Sequence, residues 1–178
     1  MEDFAKTYLD HTIKVFHLYK KEAEGAINQL DDKQLFAAPS EESNSVAVII
    51  KHLWGNMLSR WTDFLTTDGE KEWRDRDSEF EITANTSKAD LIKKWEEGWE
   101  CMFKALEPLT PNDLGHKVYI RGEGYTVIKA IQRQLAHYSS HIGQIVYVAK
   151  MLKDKDWKTL SIPKGQSKAF NDKMFGKK

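Results

Sequence analysis

Four segments of this chain carry apolar residues every three to four positions, and that repeat constrains the fold more than any other feature. The first runs from about Phe4 to Leu30, with Phe4, Tyr8, Val15, Tyr19, Ala23, Ala26 and Leu30 on one side. The second begins after Glu42, where Ser43 or Asn44 is the expected cap. Its stripe of Val46, Ile50, Leu53, Trp54, Met57, Trp61 and Phe64 ends near Leu65. The third opens at Ser87 with Asp90 three residues on, a weaker form of the capping box. It continues through Leu91, Trp95, Trp99, Met102 and Leu106 to Pro108 and Pro111, which cannot extend a helix. The fourth starts near Thr126 and reaches about Leu152 through Ile128, Ile131, Leu135, Ile142, Val146 and Ala149. The expected fold class is all-α, a four-helix bundle forming a single domain over residues 1–178.

The connections are uneven. About a dozen residues join the first two helices, whereas residues 67–86 and 107–125 each make a connection of about twenty. Loops of that length are uncommon in compact domains and tend to be functional or to cross over. Either can run the length of a bundle, because a helix of about 24 residues spans roughly 36 Å. Within the second, KVYIRGEGYT places Gly122 and Gly124 between Tyr119 and Tyr125 and reads as a short β-hairpin or tight turn. The tail SIPKGQSKAFNDKMF has periodicity for no more than a short turn.

Lys and Arg total 27, as do Asp and Glu, so no basic excess points to nucleic acid or an anionic membrane. No apolar run approaches the roughly 20 residues of a membrane helix, and the N-terminus lacks the apolar stretch of a signal peptide. The single Cys101 fits a reducing compartment. A cytoplasmic protein without membrane or nucleic-acid partners is expected.

Three of the six histidines stand out. His137 and His141 lie four apart in QLAHYSSHIGQ, and residues so spaced share a helix face. On a helical wheel both fall at the edge of the apolar arc, within reach of a neighbouring helix. His52, in VIIKHLWGNM, falls outside the arc of its own helix, among Ser45, Asn56, Ser59 and Asp63. A solvent face normally carries Lys and Glu, so small polar residues there suit a polar cleft. Two histidines at this spacing are often plain surface residues, and that reading stands beside the metal-binding one. His11 is placed on the inward side of the first helix, His17 outward and His116 in a loop. Arg60, Arg74 and Arg76 can bind carboxylates of a substrate or pair with Asp63, Asp68, Glu70, Asp75 and Asp77; pairing that ties down the loop is favoured. Cys101, with no histidine at a useful spacing, reads as a small residue at the core edge.

A long helix with one histidine, two long connections and then HxxxH on the last helix resembles the DinB/YfiT-like superfamily. The stretch KHLWGNMLSRWTDFLTTDGEKEWRDRDSEF and the later GQSKAFN resemble an uncharacterised bacterial subfamily of it. The resemblance covers essentially the whole chain. It implies a bundle with a long crossover, often a homodimer, and a divalent metal such as Zn or Ni on His52, His137 and His141. Some members of the superfamily transfer a low-molecular-weight thiol such as bacillithiol, and others are metal-dependent hydrolases. The resemblance therefore implies a metal-dependent thiol transferase first, a hydrolase second, and a non-catalytic metal-binding bundle as a third reading. Three neutral imidazoles leave open positions on an ion, where a bound water's pKa falls to about 7 and a thiol loses its proton.

Overall fold

The computed structural model describes residues 2–176; Met1, Lys177 and Lys178, the ends of the expected 1–178 unit, lie outside the described residues. Four long helices form the bundle: α1 (Glu2–Ile27), α3 (Val46–Trp61), α4 (Lys88–Leu106) and α5 (Val127–Lys153). A five-residue helix, α2 (Asp32–Phe36), sits in the first connection, held by a capping box between Asp31 and Gln34. Ser87 and Asp90 make the box expected at the start of α4. α3 is capped by Ser45, one or two residues later than Ser43 or Asn44, and it stops at Trp61 rather than near Leu65. The tail forms a surface helix, α6 (Ser167–Met174), longer than the single turn its weak periodicity suggested and with none of its residues buried.

Side-chain contacts set the helix directions. Phe16 packs on Tyr138, and Gln34 on α2, beyond the C-terminal end of α1, bonds Leu152 O near the C-terminal end of α5, so α1 and α5 run parallel. Lys20 meets Glu96, and Lys88 reaches back to Leu30 O, so α1 and α4 are antiparallel. Trp54 contacts Lys94 and Glu97 while Thr62 meets Cys101, which makes α3 and α4 parallel. Gly98 allows their close approach, because a Cβ there would press on Met57 and on the Trp54 backbone. Parallel neighbours cannot be joined by a short turn. Residues 62–87 must therefore return along the roughly 24 Å of α3 before α4 begins.

The other long connection does not cross over. It folds into a 3-10 turn (Pro111–Gly115) and a hairpin of β1 (Lys117–Ile120) and β2 (Glu123–Thr126) between the antiparallel α4 and α5. The hairpin turns on Arg121 (φ 56°) and Gly122 (φ 74°), the positive-φ pair of a type I′ turn. Arg121 tolerates this because Asp68 accepts its N–H at 2.8 Å and that of Gly122 at 2.7 Å. The hairpin is thereby pinned to the crossover.

The core is filled by Phe16, Leu53, Met57, Leu91, Trp95, Trp99, Met102, Ile131, Tyr138 and Ile145. Ala23 and Ala26 in the second half of α1, and Leu30 just beyond it, are buried as expected, whereas the first half is rolled relative to the expected stripe. Leu9, Thr12 and Phe16 are buried, Phe4 is 74% exposed, and His11 faces solvent instead of inward. The roll follows from α1 packing mainly on α5, where Phe16 meets the buried Tyr138 ring. No helix among the described residues is long and apolar enough to cross a membrane.

Candidate metal centre

His52 lies in the middle of α3, and His137 and His141 lie mid-way along α5. The two helices run antiparallel, as shown by Trp61 and Asn56 both bonding Tyr138 while His52 faces His137 and His141. All three rings converge. His52 Nε2 is 3.4 Å from His137 Nε2, and His141 Nε2 is 3.1 Å from the same atom. One nitrogen from each ring lies within 4.8 Å of the others. Donors held 2.0–2.1 Å from a tetrahedral ion stand about 3.3 Å apart, so the spacing already approaches that of a coordinated set.

The outer nitrogens of His52 and His141 are accounted for. His52 Nδ1–H donates to Glu79 Oε2 at 2.8 Å, and His141 Nδ1–H donates to Gln144 Oε1 at 2.8 Å. Carboxylate and amide oxygens only accept, so these partners assign the proton to Nδ1 and the lone pair to Nε2. The Nε2 lone pairs of His52 and His141 therefore point into one small space at His137 Nε2, where they repel unless a cation or a proton lies between the rings. Burial, then the neighbouring His141 and His52 and the charges of Arg60 and Arg74, lowers His137 to about 3. Burial likewise lowers His141, outweighing the opposing hydrogen bond to Gln144. Both are kept neutral, the form that binds metal. This donor set fits a divalent ion.

His52 is buried, contrary to its position outside the apolar arc of α3. The crossover does this. Lys51 Nζ donates to Ser78 O and Glu81 O, holding a 3-10 turn (Asp77–Phe80) against α3. Phe80 covers the His52 ring at 5.2 Å between centroids. Glu79 enters beneath it with Arg74, whose Nε and Nη2 donate to the two carboxylate oxygens at 2.8 and 3.1 Å. Burial raises the Glu79 carboxyl, but the hydrogen bonds from His52 and Arg74 and their charges hold it below the usual range. Gly55, one helical turn short of Ser59 and facing the same polar side, leaves room for that carboxylate; a Cβ there would collide with it.

Glu79 could not be singled out in the sequence, because it stands in a run of alternating charges at no periodic distance from His52. Gln144, three residues from His141, takes the orienting role on α5, while Asn56 Oδ1 accepts from Tyr138 Oη–H at 3.2 Å. The arginines do tie down the crossover, with partly different partners. Arg60 pairs with Glu70 and Gly69 O, Arg74 with Glu79, and the exposed Arg76 lies 4.0 Å from Asp77. Cys101 is half-buried beside Thr62, and burial raises its thiol pKa, which suits the inert reading. His17 stacks on Phe103 at the surface, and His116 follows the 3-10 turn; neither approaches the cluster.

A family model described as "Protein of unknown function (DUF1572)" matches residues 3–166. The chain belongs to the DUF1572 family. The match spans most of the chain, in agreement with the DinB/YfiT-like resemblance. No curated protein and no solved structure matches the chain. In this DUF1572 protein, all three histidines expected as ligands form one candidate metal-coordinating cluster, and the mostly helical bundle with a small hairpin matches the expected fold.

Proposed function

We propose that the protein holds a divalent ion such as Zn or Ni on His52, His137 and His141 and is a metal-dependent enzyme of the thiol S-transfer kind. The observation that carries this reading is the convergence of three ring nitrogens whose outer partners leave Nε2 free on His52 and His141. An ion held by three imidazoles supplies Lewis-acid chemistry, acidifying a water or a thiol at its remaining positions. The surrounding residues divide the other tasks. Arg74 and Glu79 orient His52, Gln144 orients His141, and Phe80 shields one side.

Thiol transfer is favoured over hydrolysis by the state of Glu79. Both of its oxygens are taken by Arg74 and His52, so this carboxylate is poorly placed to serve as a general base for water. In the transfer reaction, sulfur gives up its proton to solvent, a carbon–sulfur bond forms, and the bond from carbon to a leaving group such as halide breaks, the halide departing as an anion with the bonding pair. The substrate is then a small molecule with an electrophilic carbon, and a cytoplasmic setting fits the lone Cys101. A homodimer is also part of the proposal, supported by exposed Phe4 and Leu18 on α1 and Tyr147 on α5, two helices that pack together.

The test combines metal analysis with consumption of monochlorobimane in the presence of a low-molecular-weight thiol. One ion per chain and thiol-dependent turnover, both lost in His137→Ala, are expected. Stoichiometric metal without turnover of a thiol or ester substrate would replace the enzyme by a non-catalytic metal-binding bundle. Full metal content in His137→Ala would remove the metal reading altogether.

A further inference from the structure

A cavity of about 130 Å³ adjoins the histidine cluster, lined by Asn56, Arg60, Arg133, Gln134 and His137. All five of these residues carry polar side-chain ends, with their carbon stems making up part of the wall. Two are cationic, and no carboxylate is among them. Asn56 lies one helical turn and Arg60 two turns beyond His52 on α3, and Arg133 and Gln134 precede His137 by one turn on α5. The cavity thus continues from the ring nitrogens along the α3–α5 groove toward the hairpin.

Its hydrogen-bonding capacity is not used up. Gln134 is 3% exposed and its Oε1 has no partner among the described residues, and the same is true of Nε of the buried Arg60. A buried donor left open costs free energy unless a ligand or water acceptor meets it, and the Gln134 acceptor is met by water or, with the amide turned over, replaced by its NH2 donor. Arg60 is already paired with Glu70, whereas Arg133 makes no ion pair among the described residues and lies 5.8 Å from the Tyr125 ring centroid. Arg133 therefore brings the uncompensated positive charge, beside a cluster that gains two more with a divalent ion.

The geometry points to a carboxylate-binding subsite: a small carboxylate enters head-first against the fork of Arg133 and the open Nε–H of Arg60, and the rest of the molecule extends past His137 to the ring nitrogens. A guanidinium fork matches a carboxylate in shape and charge. The size of the cavity admits a carboxylate with a few carbons rather than a larger anionic head. This rests on the metal reading for the purpose of the bound molecule, but the subsite itself can be tested without metal.

The probes are propionate and propionamide, which share a shape and differ in charge, titrated into metal-free full-length protein at pH 7.5. Side-chain amide NMR signals of Asn56 and Gln134 report occupancy. Saturable shifts with at least tenfold preference for propionate are expected; Arg133→Ala should erase the preference and Arg133→Lys should restore part of it. Arg133 is exposed, so neither variant threatens the fold. Equal response to both probes, or a preference that survives Arg133→Ala, overturns the subsite. Stoichiometric metal uptake with no propionate preference defeats the subsite alone, and propionate preference without metal uptake defeats the metal reading alone.

Discussion

Gly55→Ala is a helix-interior substitution that should destabilise, against the usual direction. At an unobstructed site, replacing glycine by alanine in a helix stabilises by about 1 kcal/mol. At Gly55 the new methyl would occupy the space of the Glu79 carboxylate. A carboxylate at the end of a flexible side chain can often swing aside, but this one is gripped by both Arg74 nitrogens and by His52. Arg74 and Glu79 side chains are 2% and 4% exposed, so displacement leaves a buried guanidinium with only the more distant Glu70, 3.7 Å from its Nη1. Breaking such a pair costs about 3–5 kcal/mol. Subtracting the helix gain leaves a net loss of about 2–4 kcal/mol. With a slope of about 2 kcal/mol per M, the urea midpoint of the metal-free protein should fall by roughly 1–2 M. Metal affinity should drop about 10–100-fold as His52 loses its orienting carboxylate. Gly143 on α5 is the control, because a Cβ there meets nothing within 4 Å. Gly143→Ala should raise the midpoint. If Gly55→Ala behaves like Gly143→Ala in both assays, the Glu79–His52 contact does not organise the site.

Three other outcomes are expected. Chelating the metal should lower the melting temperature in proportion to the logarithm of free metal over its dissociation constant, and His137→Ala should melt at the same temperature with and without metal; calorimetry checks both. The metal-free protein should lose stability as pH falls from about 6.5, because unfolded histidine takes up a proton there while burial keeps His137 neutral to about 3 and lowers His141 as well. The slope is at most about 1.4 kcal/mol per pH unit for each histidine. The window from about 6.5 to 4.5 isolates this effect, since Glu70 and Glu79, also lowered by Arg60, Arg74 and His52 against burial, contribute only below it; a flat urea midpoint across it would contradict the shifts. Asp68→Ala removes both acceptors from the Arg121–Gly122 turn and should destabilise by about 1–2 kcal/mol, with hydrogen exchange rising first in β1 and β2.

The i,i+4 spacing of His137 and His141 determined by itself that two imidazoles share a face, because helical pitch is local and the surrounding periodicity is strong. The capping box at Ser87 and the hairpin around Gly122 were legible for the same reason: each depends on a few neighbouring residues. The roll of α1 was not, since an amphipathic arc is broad and only its partner α5 selects Phe16 over Phe4 and leaves His11 outside. Nor could the sequence say which long connection crosses over. Residues 67–86 and 107–125 are both long enough; packing α3 parallel to α4 assigns the crossover to the first and frees the second to fold as a turn and hairpin. That assignment decides the site. It carries Glu79, Arg74 and Phe80 onto His52 and buries a histidine whose own helix would have left it in a polar cleft. Contacts between residues 27 apart along an irregular segment have no periodic signature, because the energy that selects them comes from packing the whole bundle rather than from the residues in between.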